Sequence, residues 1–511
     1  MTSPLQRRSF LTGLGSFGLL TGLTDLQFLN NLPAISAQDV QVNPRHVRLN
    51  ADIEPLVRMI EETPRNRLME ETARRVRGGT GYQRLLAALM LAGVKGIRPR
   101  PVGYQFHAVL VVNSAHLASL AAHDRDRWLP LFWGLDNFKQ SQATNRQRGG
   151  WIMPALAENS LPPAHQARQR FIRAMDNWDV EGADTAVAAF VRNATANDVY
   201  ELFWRYGCRD FRDIGHKAIF VANSWRTLQT IGWRHAEPVV RSLAFALLAH
   251  EDDNPANRND ERDQAYRDNV QRAGRIRAEW RFGRIDNEAV TGLLATLRTA
   301  NAADSCNRVV ELLNNRIHPS SVWDALFLRA GELLMQQPAI VGIHCVTSVN
   351  ALYFGFQTTG DDTTRKLLML QAAAFLPMFR EAMRNRNPRL QEDRRIDTLE
   401  PLAVSARGPE AMQEILGDIS RDRMTAARKT LALLSEDTAD RAVSLMSGAR
   451  QLIFRKGSNS HDYKFSSAAL EDFYNTTPHW RSRFLATSMF NLRGSGHDDN
   501  GLVERIREAL S

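Results

Sequence analysis

Apolar residues return every three or four positions along most of this chain, and stretches that alternate apolar with polar residues are scarce. That period suits helices packed by one face and does not suit strands. The chain is therefore expected to be all-α: a large multi-helix domain, with stacked helical hairpins as one arrangement. Residues 322–337 illustrate the pattern. Val322, Leu326, Ala330 and Leu333 recur at helical spacing, Ser321 and Asp324 have the spacing of a capping box, and Pro338 marks a stop. Ala339 to Phe356 is nearly all apolar and approaches the length of a membrane span. His344, Thr347, Ser348 and Asn350 interrupt it, which fits a helix buried in a protein core better than one facing lipid. Further helices are expected over 363–384, kinked or broken near Pro377, and over 466–473 and 501–510.

The first residues carry a different signal. Arg7 and Arg8 precede Ser9, Phe10 and Leu11, and a weakly apolar stretch to Leu23 is diluted by Gly13, Gly15, Gly18 and Gly22. This stretch is too short and too rich in glycine for a permanent membrane helix. Ala34, Ile35 and Ser36 then offer a cleavage site. Residues 1–36 read as a twin-arginine signal peptide, with the twin-arginine translocase as partner and a periplasmic or extracellular destination. That route carries folded cargo, which suits a protein that takes up a metal or cofactor before export. The remainder, 37–511, reads as a single domain, with candidate subdomain joints in the polar, proline-containing stretches 251–264 and 385–410.

Composition removes several classes. Cys208, Cys306 and Cys345 lack close spacing, so neither a disulfide framework nor a paired-cysteine metal site is expected, and no CxxCH for covalent haem occurs. The net charge of +9 comes from arginines spread among acidic residues, so nucleic-acid binding is not expected. Lysine occurs only at positions 95, 139, 217, 366, 429, 456 and 464. No Walker loop, GxGxxG, HExxH or nucleophile elbow names a reaction.

What remains is a set of histidines in apolar surroundings: His107, His216, His344 and His461. Any one alone reads as a hydrogen-bonded core residue, but imidazole is the commonest metal ligand and several together point to a shared ion. On one continuous helix His107 and His116 would face opposite sides, and His107 has the more apolar context. His116, His235 and His250 stand in reserve. His461 and Lys464 lie at i and i+3, adjacent on a helix, where the plainest reading is a solvated turn with Asp462 pairing Lys464. In a chain that prefers arginine, however, a retained lysine offers an amine that can lose its proton.

The order His107, then Gly215-His216-x-x-Ile219, then His344-x-Val346-Thr347, then His461-x-x-Lys464 resembles the questin oxidase-like proteins. These are all-helical oxygenases best known for opening polycyclic aromatic quinone skeletons. The resemblance runs through short, scattered motifs over residues 100–480. It implies a mononuclear non-haem iron held by His107, His216, His344 and His461, with Lys464 carboxylated by carbon dioxide as a further ligand. Where the family pattern leads to a second histidine four residues after His216, this chain has Phe220. A carbamate would supply the negative charge that four neutral imidazoles leave missing around a divalent ion. Asp213 and Asp462 are placed to accept hydrogen bonds from the imidazoles and orient them.

The expected function is that of an exported metalloprotein, an iron-dependent oxygenase using dioxygen on an aromatic or quinone-like small molecule. Two other readings stay open: a helical-repeat binding or scaffold protein without catalysis, and a zinc-dependent hydrolase using some of the same ligands. The export reading has its own test. Replacing Arg7 and Arg8 together by lysine should leave the precursor in the cytoplasm on cell fractionation, and continued arrival of the mature protein in the periplasm would contradict it.

Overall fold

Pro319–Gln336 and Ile340–Thr358 are two helices joined by a short link, and they form the centre around which the site-bearing elements gather. In the first, every side chain except that of Ser320 is buried. The second is buried from Val341 to Leu352, as expected for a helix apolar on nearly all sides. It packs against Pro319–Gln336, against Asp362–Arg386, and against two helices distant in sequence, His216–Ile231 and Ser460–Asn475. The short helix His107–Leu110 packs in turn on His216–Ile231 and Ser460–Asn475. Four chain segments far apart in sequence are thereby brought to one place.

The computed structural model describes residues 45–386, 390–436 and 438–511; the segment 1–36, read above as an export signal, lies outside them. Among the described residues the architecture is all-α, with 23 α-helices linked by turns and short 3-10 segments. An isolated parallel bridge pairs Arg284 with Ile317. Val47–Ser511 forms one compact unit, and both polar stretches named as joints lie inside it. In 251–264 a 3-10 turn at Pro255–Asn257 is followed by the start of the helix Glu261–Arg275. In 385–410 the helix Asp362–Arg386 ends, and from 390 irregular chain leads to the helix Pro409–Asp418. Among the described residues no helix is long and apolar enough to cross a membrane.

Local details differ from the sequence reading in instructive ways. The helix expected from 322 starts at Pro319, and His318 caps it by accepting from the Ser320 amide. Ser321 and Asp324 do not form a capping box. Asp324 instead accepts from the amide and hydroxyl of Thr477, the residue before the helix Pro478–Ser488. Ser321 accepts from the amide of Asp286. Tertiary partners outcompete the local motif because both side chains are buried among other elements. Pro377 lies inside one helix, Asp362–Arg386, which does not end there. The segment 466–473 belongs to a longer helix, Ser460–Asn475, opened by a capping box between Asn459 and Asp462.

A polar network fastens the site-bearing segments together beyond their apolar contacts. Asn350, on the central helix, donates to Glu471 at 2.7 Å and to Asp472 at 2.8 Å. Arg226, on the His216 helix, pairs with the same Glu471 at 2.6 Å. Asn223 donates to the carbonyl of Leu110 at 2.9 Å, tying down the His107 turn. The bonds from Asn350 to Asp472 and from Asn223 to Leu110 are buried and worth more than exposed ones, because neither partner can fall back on water, whereas Glu471 remains partly exposed.

Candidate metal centre

The four histidines selected from sequence meet. One donor nitrogen from each of His107, His344 and His461 lies within 4.8 Å of the other two. His216 joins them: its Nε2 is 3.0 Å from the Nε2 of His107, and its ring centroid is 4.2 Å from that of His344. The rings of His107 and His461 are 4.6 Å apart, and those of His344 and His461 5.0 Å. His216 and His344 are buried, while His107 and His461 are partly so.

Backbone carbonyls set the tautomers. His107 gives its Nδ1–H to the carbonyl of Tyr104 at 2.7 Å, His216 to that of Asp213 at 2.6 Å, and His344 to that of Ile340 at 2.7 Å. A carbonyl can only accept, so each Nδ1 carries the proton and each Nε2 keeps a lone pair. His107 and His216 share one device. Each is the first residue of a helix, and each bonds to a residue three positions earlier that has positive φ, Tyr104 at 52° and Asp213 at 58°. Ile214 continues the second loop at φ 45°, an outlying conformation for a β-branched residue, and Gly215 follows at 82°. Strained residues of this kind cost about 1–3 kcal/mol each and persist where surrounding structure enforces them. A side chain at Gly215 would also collide with Ser348, whose Cβ lies 2.8 Å from where the new Cβ would stand.

Burial holds His107, His216 and His344 well below the ordinary histidine pKa, and pushes that of His461 down to about 3. The charge of Lys464 acts in the same direction on all four. They are therefore neutral, the form that ligates metals. Two neutral imidazoles with unprotonated Nε2 atoms 3.0 Å apart cannot hydrogen-bond to each other; their lone pairs repel unless a cation lies beside both. The separation can be compared with what one ion would require. Nitrogens about 2.1 Å from one ion sit about 3.0 Å apart at a right angle and about 3.4 Å apart at the tetrahedral angle. The observed 3.0 Å is a separation that two ligands of one ion can have.

Lys464 is the chain's exceptional lysine. Six others have partners: Lys95 with Glu54 and Glu61, Lys139 with two carbonyls and Gln142, Lys217 with Asp210 and the Ala249 carbonyl, and Lys366, Lys429 and Lys456 with carboxylates. Lys464 is 2% exposed and its Nζ has no hydrogen-bond partner. Burial pushes its pKa down to about 7. The Nε2 atoms of His344 and His461 are buried and unpartnered as well. Three orphaned donor-capable nitrogens in one place, where each would cost about 1–3 kcal/mol if left unsatisfied, fit a bound ion and its ligands. The solvated turn with Asp462 pairing Lys464 is not what the structure contains.

Both aspartates take roles other than those expected. Asp213 orients His216 through its backbone carbonyl, not its carboxylate. It also lies in the left-handed loop rather than a helical turn before His216. The Asp462 carboxylate accepts from the amides of Ser458 and Asn459 and from Arg493, closing the helix cap, and bonds to no imidazole. The reserve histidines lie elsewhere. His116 bonds to the hydroxyl of Tyr82, His235 accepts from Arg234, and His250 packs edge-on against Trp178. His116 and His107 do not share a helix, because the chain breaks at Val111 between His107–Leu110 and Val112–Ala121. Phe220 packs edge-on against Phe106, the residue before His107. Sequence reasoning gave no role to Gly103, whose absent side chain leaves room for the rings of His107 and His216.

No protein-family model, curated protein or solved structure matches this chain.

The geometry predicts metal content residue by residue. His216→Ala and His344→Ala should each sharply lower the metal bound per chain, measured by elemental analysis, while His123→Ala and His165→Ala should leave it unchanged. Gly215→Ala should lower it too while circular dichroism stays helical. Equal metal in all five variants would contradict the grouping of these residues into a metal centre.

Proposed function

We propose that this chain is a non-haem iron oxygenase acting on a small aromatic molecule, with His107, His216, His344 and His461 as imidazole ligands and Lys464, carboxylated, as an oxygen ligand. The single observation that carries the reading is the convergence of neutral Nε2 atoms beside a buried lysine amine that has no partner. Four imidazoles and one carboxylate oxygen make five protein donors. That number exceeds the tetrahedral set zinc prefers and leaves one place open on an octahedral ion.

The protein's own groups then have defined tasks. The Tyr104, Asp213 and Ile340 carbonyls hold the three Nδ1 protons, so the imidazoles enter as neutral donors without releasing a proton. Burial brings the pKa of the Lys464 amine down to about 7, so a substantial fraction is neutral near neutral pH. That form attacks carbon dioxide through its Nζ lone pair; a nitrogen–carbon bond forms, one proton leaves the nitrogen, and an anionic carbamate results. Buried side chains from the surrounding helices exclude water. The iron, when bound, would supply the site at which dioxygen is activated next to an electron-rich ring. The family resemblance read from the sequence supports the same assignment, and export through the twin-arginine route is compatible with a metal loaded before translocation.

Protein purified from its native export route should contain about one iron per chain. Lys464→Arg keeps charge and length but cannot form a carbamate, so it should lose iron and dioxygen consumption with phenolic or hydroquinone substrates. Lys464→Ala should lose both and recover part of the metal when acetate is added. Stoichiometric zinc in place of iron would favour the hydrolase reading, and no metal at all would favour a binding protein. Full iron in Lys464→Arg would remove the lysine from the ligand set.

A further inference from the structure

A cavity of about 220 Å³ opens beside His461, and its wall is chemically lopsided. One side is apolar: Ile340, Ile343 and Leu492. Ile340 is half exposed at 50%, unusual for isoleucine, and its carbonyl receives the Nδ1–H of His344. The other side is rich in donors. Arg423 has no acidic partner among the described residues, and the charge acting on it is that of another cation, Arg493. Asn491 Nδ2 and Arg493 Nε are buried without hydrogen-bond partners. His497 accepts at Nδ1 from the amide of Gly494, which leaves its Nε2–H as a donor. The one carboxylate in the wall, Asp462, is already committed to two backbone amides and to Arg493. The cavity thus carries surplus positive charge and unsatisfied donors, and its acidic group is already engaged.

We propose that this cavity is the substrate site and that it takes a small aromatic carboxylate, with the carboxylate on Arg423 and Asn491 and the ring between Ile340, Ile343 and Leu492. This rests on the oxygenase reading for what happens to the ring, but not for the binding of the anion. The anion supplies the acceptors the wall lacks, and a charge-assisted pair with a guanidinium is stronger than a neutral bond. The ring supplies apolar surface to cover the exposed isoleucine. Its size sets a limit: sites for drug-sized molecules run about 300–1,000 Å³, so this one suits a single ring better than a polycyclic skeleton. His461 forms part of the same wall, which places the ring edge beside the histidine cluster. A larger groove, about 960 Å³ and lined in part by Pro401, Pro409 and Ser444, contains none of the five site residues.

Titration calorimetry with benzoate and its neutral analogue benzamide, on the full chain, tests this. Benzoate should bind at least about tenfold more tightly than benzamide. Arg423→Gln should bring benzoate down to the benzamide level, and Arg423→Lys should retain most of the preference. Equal binding of the two probes, or benzoate binding unaffected by Arg423→Gln, would overturn the proposal. His216→Ala separates this reading from the oxygenase reading. His216 is not in the cavity wall, so benzoate binding should survive there although metal is lost. If benzoate binding disappears in that variant while helical content is intact, the anion sits on the metal instead and the cavity assignment fails. Discrimination by Arg423 in a protein that never contains iron would leave the anion site standing and remove the oxygenase reading.

Discussion

The site depends on where each imidazole keeps its proton. A histidine that gives Nδ1–H to a backbone carbonyl has no freedom left: its tautomer is set, its ring plane is restrained, and Nε2 presents a lone pair. Three of the four histidines are held this way, by Tyr104, Asp213 and Ile340. Carbonyls do this without adding charge to the core, whereas a carboxylate in the same place would need its own compensation. The result is a concentration of lone pairs, 3.0 Å apart between His107 and His216 and within 4.8 Å among His107, His344 and His461, an arrangement that a cation among them would stabilise.

Holding that arrangement has structural consequences. Tyr104 and Asp213 adopt left-handed conformations so that their carbonyls reach back to the first residue of the following helix, and Ile214 does so against its own side chain. The strain is enforced from outside the loops. Arg226, Glu471, Asn350 and Asp472 join three of the four histidine-bearing segments, and Asn223 joins the fourth. Gly215 lets the His216 helix start against Ser348 on the central helix. Side chains two or three turns from the histidines therefore fix their mutual distances, which is how helices can hold a centre to within a few tenths of an ångström.

The all-α class was legible because apolar spacing of 3.6 residues persists through the long helices, and the buried Ile340–Thr358 helix because polar interruptions too frequent for lipid stand in an apolar run. The histidine grouping was legible for a related reason: an imidazole inside such a run must find a partner, and four in one chain can find each other. Lys464 stood out only against the scarcity of lysine, and its meaning emerges once six other lysines are seen paired. Less local features were not legible. Nothing in the sequence around Val111 marks a break, so helical arithmetic applied across it has no force. Asp213 and Asp462 looked like orienting carboxylates because carboxylates advertise themselves in sequence and backbone carbonyls do not. The tie from Arg226 to Glu471 spans 245 residues and has no periodic signature. Asp324 was misassigned for the same reason, since Thr477 reaches it from a distant turn.

The central claim is that these five residues surround one iron. An anomalous difference map from crystals of the protein, recorded on both sides of the iron absorption edge, addresses it without assumptions about substrate. The account predicts a single peak bonded to the Nε2 atoms of His107, His216, His344 and His461, with electron density continuing from Lys464 Nζ to an oxygen on the ion. A map with no iron peak among the four rings, or with Lys464 a bare amine turned away from them, would contradict it.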